Sequence, residues 1–173
     1  RETVEGDLPS FLAVCLTVAA GSSALAADAP ERGPKLDAKA WMVVDARTGE
    51  PLAGHAVNRR LPMASTTKMM TAYLAIKNLQ FSEKVTAGNY RADPAESLMG
   101  LAPGQEVSVR DLLYGLMMLS GNDAALALAK AVSGSEARFV RLMNRTARRL
   151  GLENTHYENP IGLDGPRHYT SAA

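Results

Sequence analysis

The sequence predicts an α/β fold in which a small antiparallel sheet opens the folded part and a block of helices follows it. Three observations predict this. A β-branched and aromatic run, Trp41-Met42-Val43-Val44-Asp45-Ala46, precedes the turn residues Gly49 and Pro51. Apolar residues then recur at three- and four-residue spacing from Ser65 to Leu150. Pro62, Gly121, Gly134 and Gly151 punctuate that pattern where helices should begin or end. With 173 residues, 46% of them apolar and 21% charged, the chain suits one globular domain. A domain of this length buries roughly 70% of its unfolded surface and needs neither disulfide nor structural metal to fold. The single Cys15 cannot pair within the chain.

Residues 1–26 differ in kind and are expected to be an export signal. Phe11 to Ala20 is a short apolar run, and Ala24-Leu25-Ala26 follows it with the small-x-small pattern of a signal-peptidase site. The flank does not fit, because Arg1, Glu2, Glu5 and Asp7 make it net negative where a positive one is usual; a buried helix is the alternative. Val14 before Cys15 argues against lipid attachment there. Residues 27–40, with Pro30, Gly33 and Pro34, read as a polar linker.

The domain at 41–173 begins with the run at Trp41, the turn Arg47-Thr48-Gly49-Glu50-Pro51 and a second extended stretch to about Arg60. This is a hairpin signal. From Ser65 a helix is predicted with Met69, Ala72, Tyr73 and Ile76 along its apolar face. Ser108-Val109-Arg110-Asp111 resembles a capping box before Leu112 to Leu119, a helix apolar nearly all round and hence expected to be buried. A third helix follows Ser120-Gly121-Asn122-Asp123 and stops at Ser133-Gly134. A fourth spans about Glu136 to Leu150 with Phe139, Leu142, Met143 and Leu150 inward. Arg138, Arg141, Arg145, Arg148 and Arg149 form its solvated face.

Composition excludes several functions. A net charge of +1 gives no nucleic-acid platform. No run of about 20 apolar residues reads as a membrane span. His55, His156 and His168 are scattered without zinc spacing and read as structural or exposed, and no G-x-S-x-G elbow occurs.

What remains is Ser65-Thr66-Thr67-Lys68. In a helix starting at Ser65, the hydroxyl and the amine lie one turn apart on one face. Serine is a poor nucleophile without an adjacent base, and burial lowers a lysine pKa toward a useful range. A helix N-terminus favours an oxyanion forming there. The bland alternatives are Ser65 as N-cap and Lys68 as surface charge. Ser120-Gly121-Asn122 is either an interhelical turn capped by Asn122 or Asp123, or a loop bringing a second hydroxyl and an amide to the nucleophile.

The segments Pro62 to Ala72 and Leu116 to Ala125 resemble the first two active-site motifs of the low-molecular-weight penicillin-binding, serine-type D-alanyl-D-alanine carboxypeptidases. The resemblance runs from Trp41 to Ala173 and includes Ala102-Pro103-Gly104-Gln105 and Asn159-Pro160-Ile161-Gly162-Leu163-Asp164. It implies a β-lactamase/D,D-peptidase-like fold, a mostly antiparallel sheet packed against a helical block. It implies Ser65 as acyl-enzyme nucleophile, Lys68 as proton carrier, Ser120 in protonation of the leaving group, and Asn122 with Gly121 in substrate binding. Peptidoglycan stem peptides are the implied substrate and β-lactams the acylating mimics, in the periplasm or cell envelope, without metal or organic cofactor. A β-lactamase-like hydrolase, a D,D-endopeptidase and a silent envelope protein binding cell-wall peptides are the alternatives. The family's third motif, K-T-G, does not follow Ser120, and Arg47-Thr48-Gly49 precedes the nucleophile as a hairpin turn. The expectation is therefore a chain truncated before that strand and inactive by itself, with any membrane association supplied by a later segment.

Overall fold

The computed structural model describes residues 33–173. The expected export signal, Cys15 and the first part of the linker lie outside the described residues. Residues 33–40 form no helix or strand, and Gly33 approaches Trp41 so closely that a Cβ there would meet its ring at 2.3 Å.

The predicted hairpin is present as β1 (Trp41–Val44) and β2 (Pro51–His55), paired antiparallel with an irregularity between Val43 and Val44. Its turn is built by Asp45, whose Oδ1 accepts from the backbone N–H groups of Arg47 and Thr48, both at 2.8 Å, while Gly49 supplies φ 75°. Arg47-Thr48-Gly49 is thus a turn. β2 ends at His55 rather than near Arg60, since Ala56 at φ 47° breaks the extended backbone.

A second hairpin, absent from the sequence reading, joins β3 (Lys84–Thr86) to β4 (Glu106–Ser108). Each strand buries one side chain, Val85 and Val107. Three-residue strands separated by a long loop carry too little alternation to be read from sequence.

Four helices follow the predicted order: α1 (Thr67–Asn78), α2 (Val109–Met118), α3 (Asn122–Ser133) and α4 (Glu136–Arg149). Helix α3 is central, in contact with the other three. Its Ala124, Ala125, Ala127 and Ala129 are buried, and small side chains let neighbouring helices approach closely. Leu112, Leu116, Leu128, Phe139 and Met143 are essentially inaccessible, each contributing about 1.5–3 kcal/mol by burial. The cap predicted at Ser108 is present, and a second one is found at Ser135. Ser108 Oγ accepts from Asp111 N at 3.1 Å, and Ser135 Oγ from Arg138 N at 3.4 Å. In the first box the Ser108 hydroxyl also donates to the Asp111 carboxylate.

Three burial expectations are corrected. On α1, Met69, Tyr73 and Ile76 are exposed, and the buried face is Thr67, Lys68, Met70, Thr71, Ala72, Leu74 and Ala75. Polar residues belong to that face because each has a partner across the interface. Helix α2 is not buried all round: Tyr114, Met117 and Met118 are exposed, and only the side bearing Val109, Leu112, Gly115 and Leu116 is enclosed. Leu150 follows α4 and is half exposed, while the arginines of α4 are solvated as expected.

Candidate active site

Ser65 sits in a single 3-10 turn, Ala64–Thr66, just ahead of α1. Ala64 before it has φ 45°. A non-glycine residue there carries backbone strain, which persists only where the surroundings over-determine it. Residues 160–162 do so. Gly162 lies against Ala64, with the position of a Cβ only 2.1 Å from the Ala64 carbonyl oxygen, and its own φ is 96°. Glycine is required there twice over, by conformation and by space.

The Ser65 hydroxyl does not cap a helix. Its Oγ lies 3.2 Å from Lys68 Nζ and 3.0 Å from Ser120 Oγ. Lys68 is 3% exposed, and its other hydrogen bond goes to the Ile161 carbonyl at 2.6 Å. Burial pushes its pKa down, and the charge of Glu96 partly opposes this. Once neutral, the amine can take the Ser65 proton across the contact over which the ammonium donates.

The Ile161 carbonyl is aimed by Asn159, whose Oδ1 accepts from the N–H groups of Ile161, Gly162 and Leu163. The same segment holds α1 at two more points. Thr71 Oγ1 donates to the Pro160 carbonyl at 2.7 Å, and His168 Nε2 lies 2.8 Å from Thr67 Oγ1. His168 Nδ1 accepts from Glu158 N at 3.0 Å, so Nε2 carries the proton and donates to Thr67. Burial pushes the His168 pKa down, against the pull of Glu158 and Asp164. Of the three histidines, His55 is exposed, His156 half-buried and His168 fully buried.

Ser120, Gly121 and Asn122 form the link from α2 to α3. Ser120 has φ 56°, a left-handed conformation that turns the chain sharply enough to bring its hydroxyl to Ser65. Gly121 does not face the nucleophile with a side chain. A Cβ there would come within 2.9 Å of Met99 N, so it admits the 96–101 loop. Asn122 is buried and its Nδ2 donates to Glu96 Oε2 at 2.7 Å. Neither Asn122 nor Asp123 caps α3 by the ordinary side-chain bond. Asp123 instead gathers the N–H groups of Met99, Gly100 and Leu101 at 2.8–2.9 Å. Burial of Asp123 disfavours its charge, and those backbone donors with Ala124 N outweigh this to hold its pKa below the ordinary range.

Three parts of this arrangement escaped the sequence reading: Glu96, Tyr90, whose hydroxyl donates to Glu96, and the Ile161 carbonyl. The turn chemistry of Asn159-Pro160-Ile161-Gly162 was a usable signal for the last. Among the described residues no cluster of His, Cys, Asp and Glu could hold a metal ion.

A serine bridged to a buried lysine and to a second serine is an arrangement that can serve acyl transfer. The family model of D-alanyl-D-alanine carboxypeptidases matches residues 25–173. The chain belongs to the D-alanyl-D-alanine carboxypeptidase family. Carboxypeptidase DacD of Salmonella typhimurium is 42% identical over 177 residues, covering 94% of this chain and 45% of that protein. Carboxypeptidase DacF of Bacillus subtilis is 40% identical over 141 residues, covering 79% of this chain and 36% of that protein. Penicillin binding protein 6B of Escherichia coli superposes with a TM-score of 0.77 at 36% identity, covering 83% of this chain and 48% of that one. The chain therefore spans less than half the length of these carboxypeptidase-family relatives, and its fold is the D,D-peptidase-like one that the motifs implied.

Proposed function

We propose that this chain carries the nucleophile-bearing part of a serine-type D-alanyl-D-alanine carboxypeptidase acting on peptidoglycan stem peptides. Residues 1–26 direct export, 27–40 link, and 41–173 supply this part of the catalytic domain in the cell envelope. The observation that carries the reading is the placement of Ser65 Oγ between Lys68 Nζ at 3.2 Å and Ser120 Oγ at 3.0 Å.

Lys68, whose burial favours the neutral amine, accepts the Ser65 proton as Oγ attacks the carbonyl of the terminal D-Ala-D-Ala bond. The proton passes by way of Ser120 to the departing D-Ala amine. Water then hydrolyses the ester on Ser65. Asn122 holds the peptide, and Gly121 keeps that residue against the loop beneath it. A β-lactam follows the same first step, its strained amide opening onto Ser65.

Incubating the full-length protein with a fluorescent penicillin and mapping the adduct by peptide mass spectrometry tests this. Label is expected on Ser65 and lost in Ser65→Ala. Lys68→Ala should slow acylation by about 10²–10⁴-fold, the usual worth of a positioned proton carrier. Label on another residue, or a fast Lys68→Ala variant, would sink the assignment.

A further inference from the structure

Outside the Ser65, Lys68 and Ser120 triangle, the loop between β3 and β4 brings a carboxylate to the edge of the site. Glu96 Oε2 accepts from Asn122 Nδ2 at 2.7 Å and from the Tyr90 hydroxyl. Its Oε1 accepts from Asp93 N at 3.0 Å. The loop carrying it is fastened to α3, because Asn122 N donates to the Ser97 carbonyl at 2.9 Å and Asp123 accepts from the N–H groups of Met99, Gly100 and Leu101.

An ionised carboxylate has no proton to give, so the amide of Asn122 must turn its NH2 group toward Glu96 and its oxygen away. A side chain free to flip would present either end to a peptide. Glu96 removes that freedom. The second consequence is electrostatic. The hydrogen-bond partners of Lys68, the Ser65 hydroxyl and the Ile161 carbonyl, are uncharged, and the negative charge of Glu96 pulls its pKa up against the larger effect of burial.

We propose that Glu96 is a positioning residue of the acylation site, fixing the orientation of the Asn122 amide. The inference rests on the role given above to Lys68 and Asn122. The surroundings of Glu96 keep it ionised. The Tyr90 hydroxyl, the Asp93 N–H and the Asn122 amide lower its pKa, burial opposes them, and Lys68 adds a further lowering. Tyr90 in turn is pushed up to about 12 by burial and by Glu96, so its phenol keeps the proton it donates. Glu136 bears on Tyr90 by charge, and Asp123 and Lys130 line the same pocket as Tyr90 and Glu136.

The charge and the hydrogen bond can be separated. In Glu96→Gln the amide oxygen still accepts from Asn122 while the negative charge is gone. In Glu96→Ala both are lost. Removing the charge removes what favours the Lys68 ammonium, so the neutral amine is populated at lower pH. The acid limb of the penicillin acylation profile should therefore move to lower pH in both variants, with a several-fold faster rate on that limb in Glu96→Gln. The half-saturating penicillin concentration should stay near the wild-type value in Glu96→Gln and rise several-fold in Glu96→Ala. Titration of the Lys68 ¹³Cε resonance, which needs no acylation, should show the same downward movement. A half-saturating penicillin concentration that stays at the wild-type value in Glu96→Ala would overturn this role while leaving Ser65 as nucleophile. Wild-type labelling at a residue other than Ser65 would overturn both readings.

Discussion

The two sides of the candidate site are held by different chemistry. On the Ser65 side, α1 is fastened to residues 156–170 by neutral groups: Lys68 to the Ile161 carbonyl, Thr71 to the Pro160 carbonyl and Thr67 to His168. On the Ser120 side, the start of α3 is fastened to the 90–101 loop by two carboxylates, Glu96 and Asp123. The neutral clamp leaves a buried amine without a hydrogen-bonded anion, as the role proposed for Lys68 requires. The anionic clamp stands back from the nucleophile and orders a loop. A carboxylate bonded directly to Lys68 would favour the ammonium and silence it as a base.

The largest expected effect comes from breaking the anionic clamp at Asp123. Asp123→Ala strands the N–H groups of Met99, Gly100 and Leu101, and hydrogen bonds to a charged group are worth about 1.5–3 kcal/mol each at most sites. The variant should lose on the order of 3 kcal/mol in denaturant unfolding, and its 96–101 amides should exchange hydrogen faster than those of α4. Unchanged stability would show that the loop is held by its packing instead.

A smaller effect, but a sharper one, tests the neutral clamp. His168→Phe leaves Thr67 Oγ1 and Glu158 N without partners and should cost about 2 kcal/mol. His168→Gln, which offers both an acceptor and a donor, should recover part of it. The two clamps should also separate with pH. His168 is held below its ordinary value, so its contribution is present above about pH 6.5, where the unfolded residue is also neutral, and falls as pH drops toward its folded pKa. Asp123 and Glu96 are also depressed, so their contribution is present above about pH 4 and is lost as pH falls through their folded values. Thermal unfolding against pH should show a loss beginning near neutrality that is absent in His168→Gln, and a second loss in acid that survives that substitution. The smallest change should follow Thr71→Val, about 1 kcal/mol for one neutral bond to Pro160, measured as a shift of the denaturation midpoint at constant slope.

Much of this was legible in the sequence, and the exceptions share a cause. Ser65, Lys68, Ser120 and Asn122 stand out in the sequence through the resemblance of their flanking segments to the family's motifs, and the fold brings Ser65, Lys68 and Ser120 within hydrogen-bond reach of one another. The four helices, the first hairpin and the cap at Ser108 follow from local signals that tertiary structure did not overrule. The apolar face of α1 was misassigned because periodicity scores Thr67, Lys68 and Thr71 as outward, whereas each is buried against a carbonyl or His168. Ile161 acts through its backbone and leaves no residue-type signal. Glu96 gains its place only from folding of the loop onto α3, and nothing in Ala95-Glu96-Ser97 marks it.

The seat of Ala64 against Gly162 has a consequence for how the site comes into being. The strained turn at Ser65, the Lys68 partner, the Thr71 bond and the Thr67 to His168 bond all join positions about ninety to one hundred residues apart in sequence. Bringing such distant segments together is entropically costly and comes after local contacts in the helices have formed. Helix α1 can thus exist in the nascent chain while its serine is still an ordinary alcohol and its lysine an ordinary solvated cation. The contacts on which the proposed roles of Ser65 and Lys68 depend arrive only with the docking of residues 156–170.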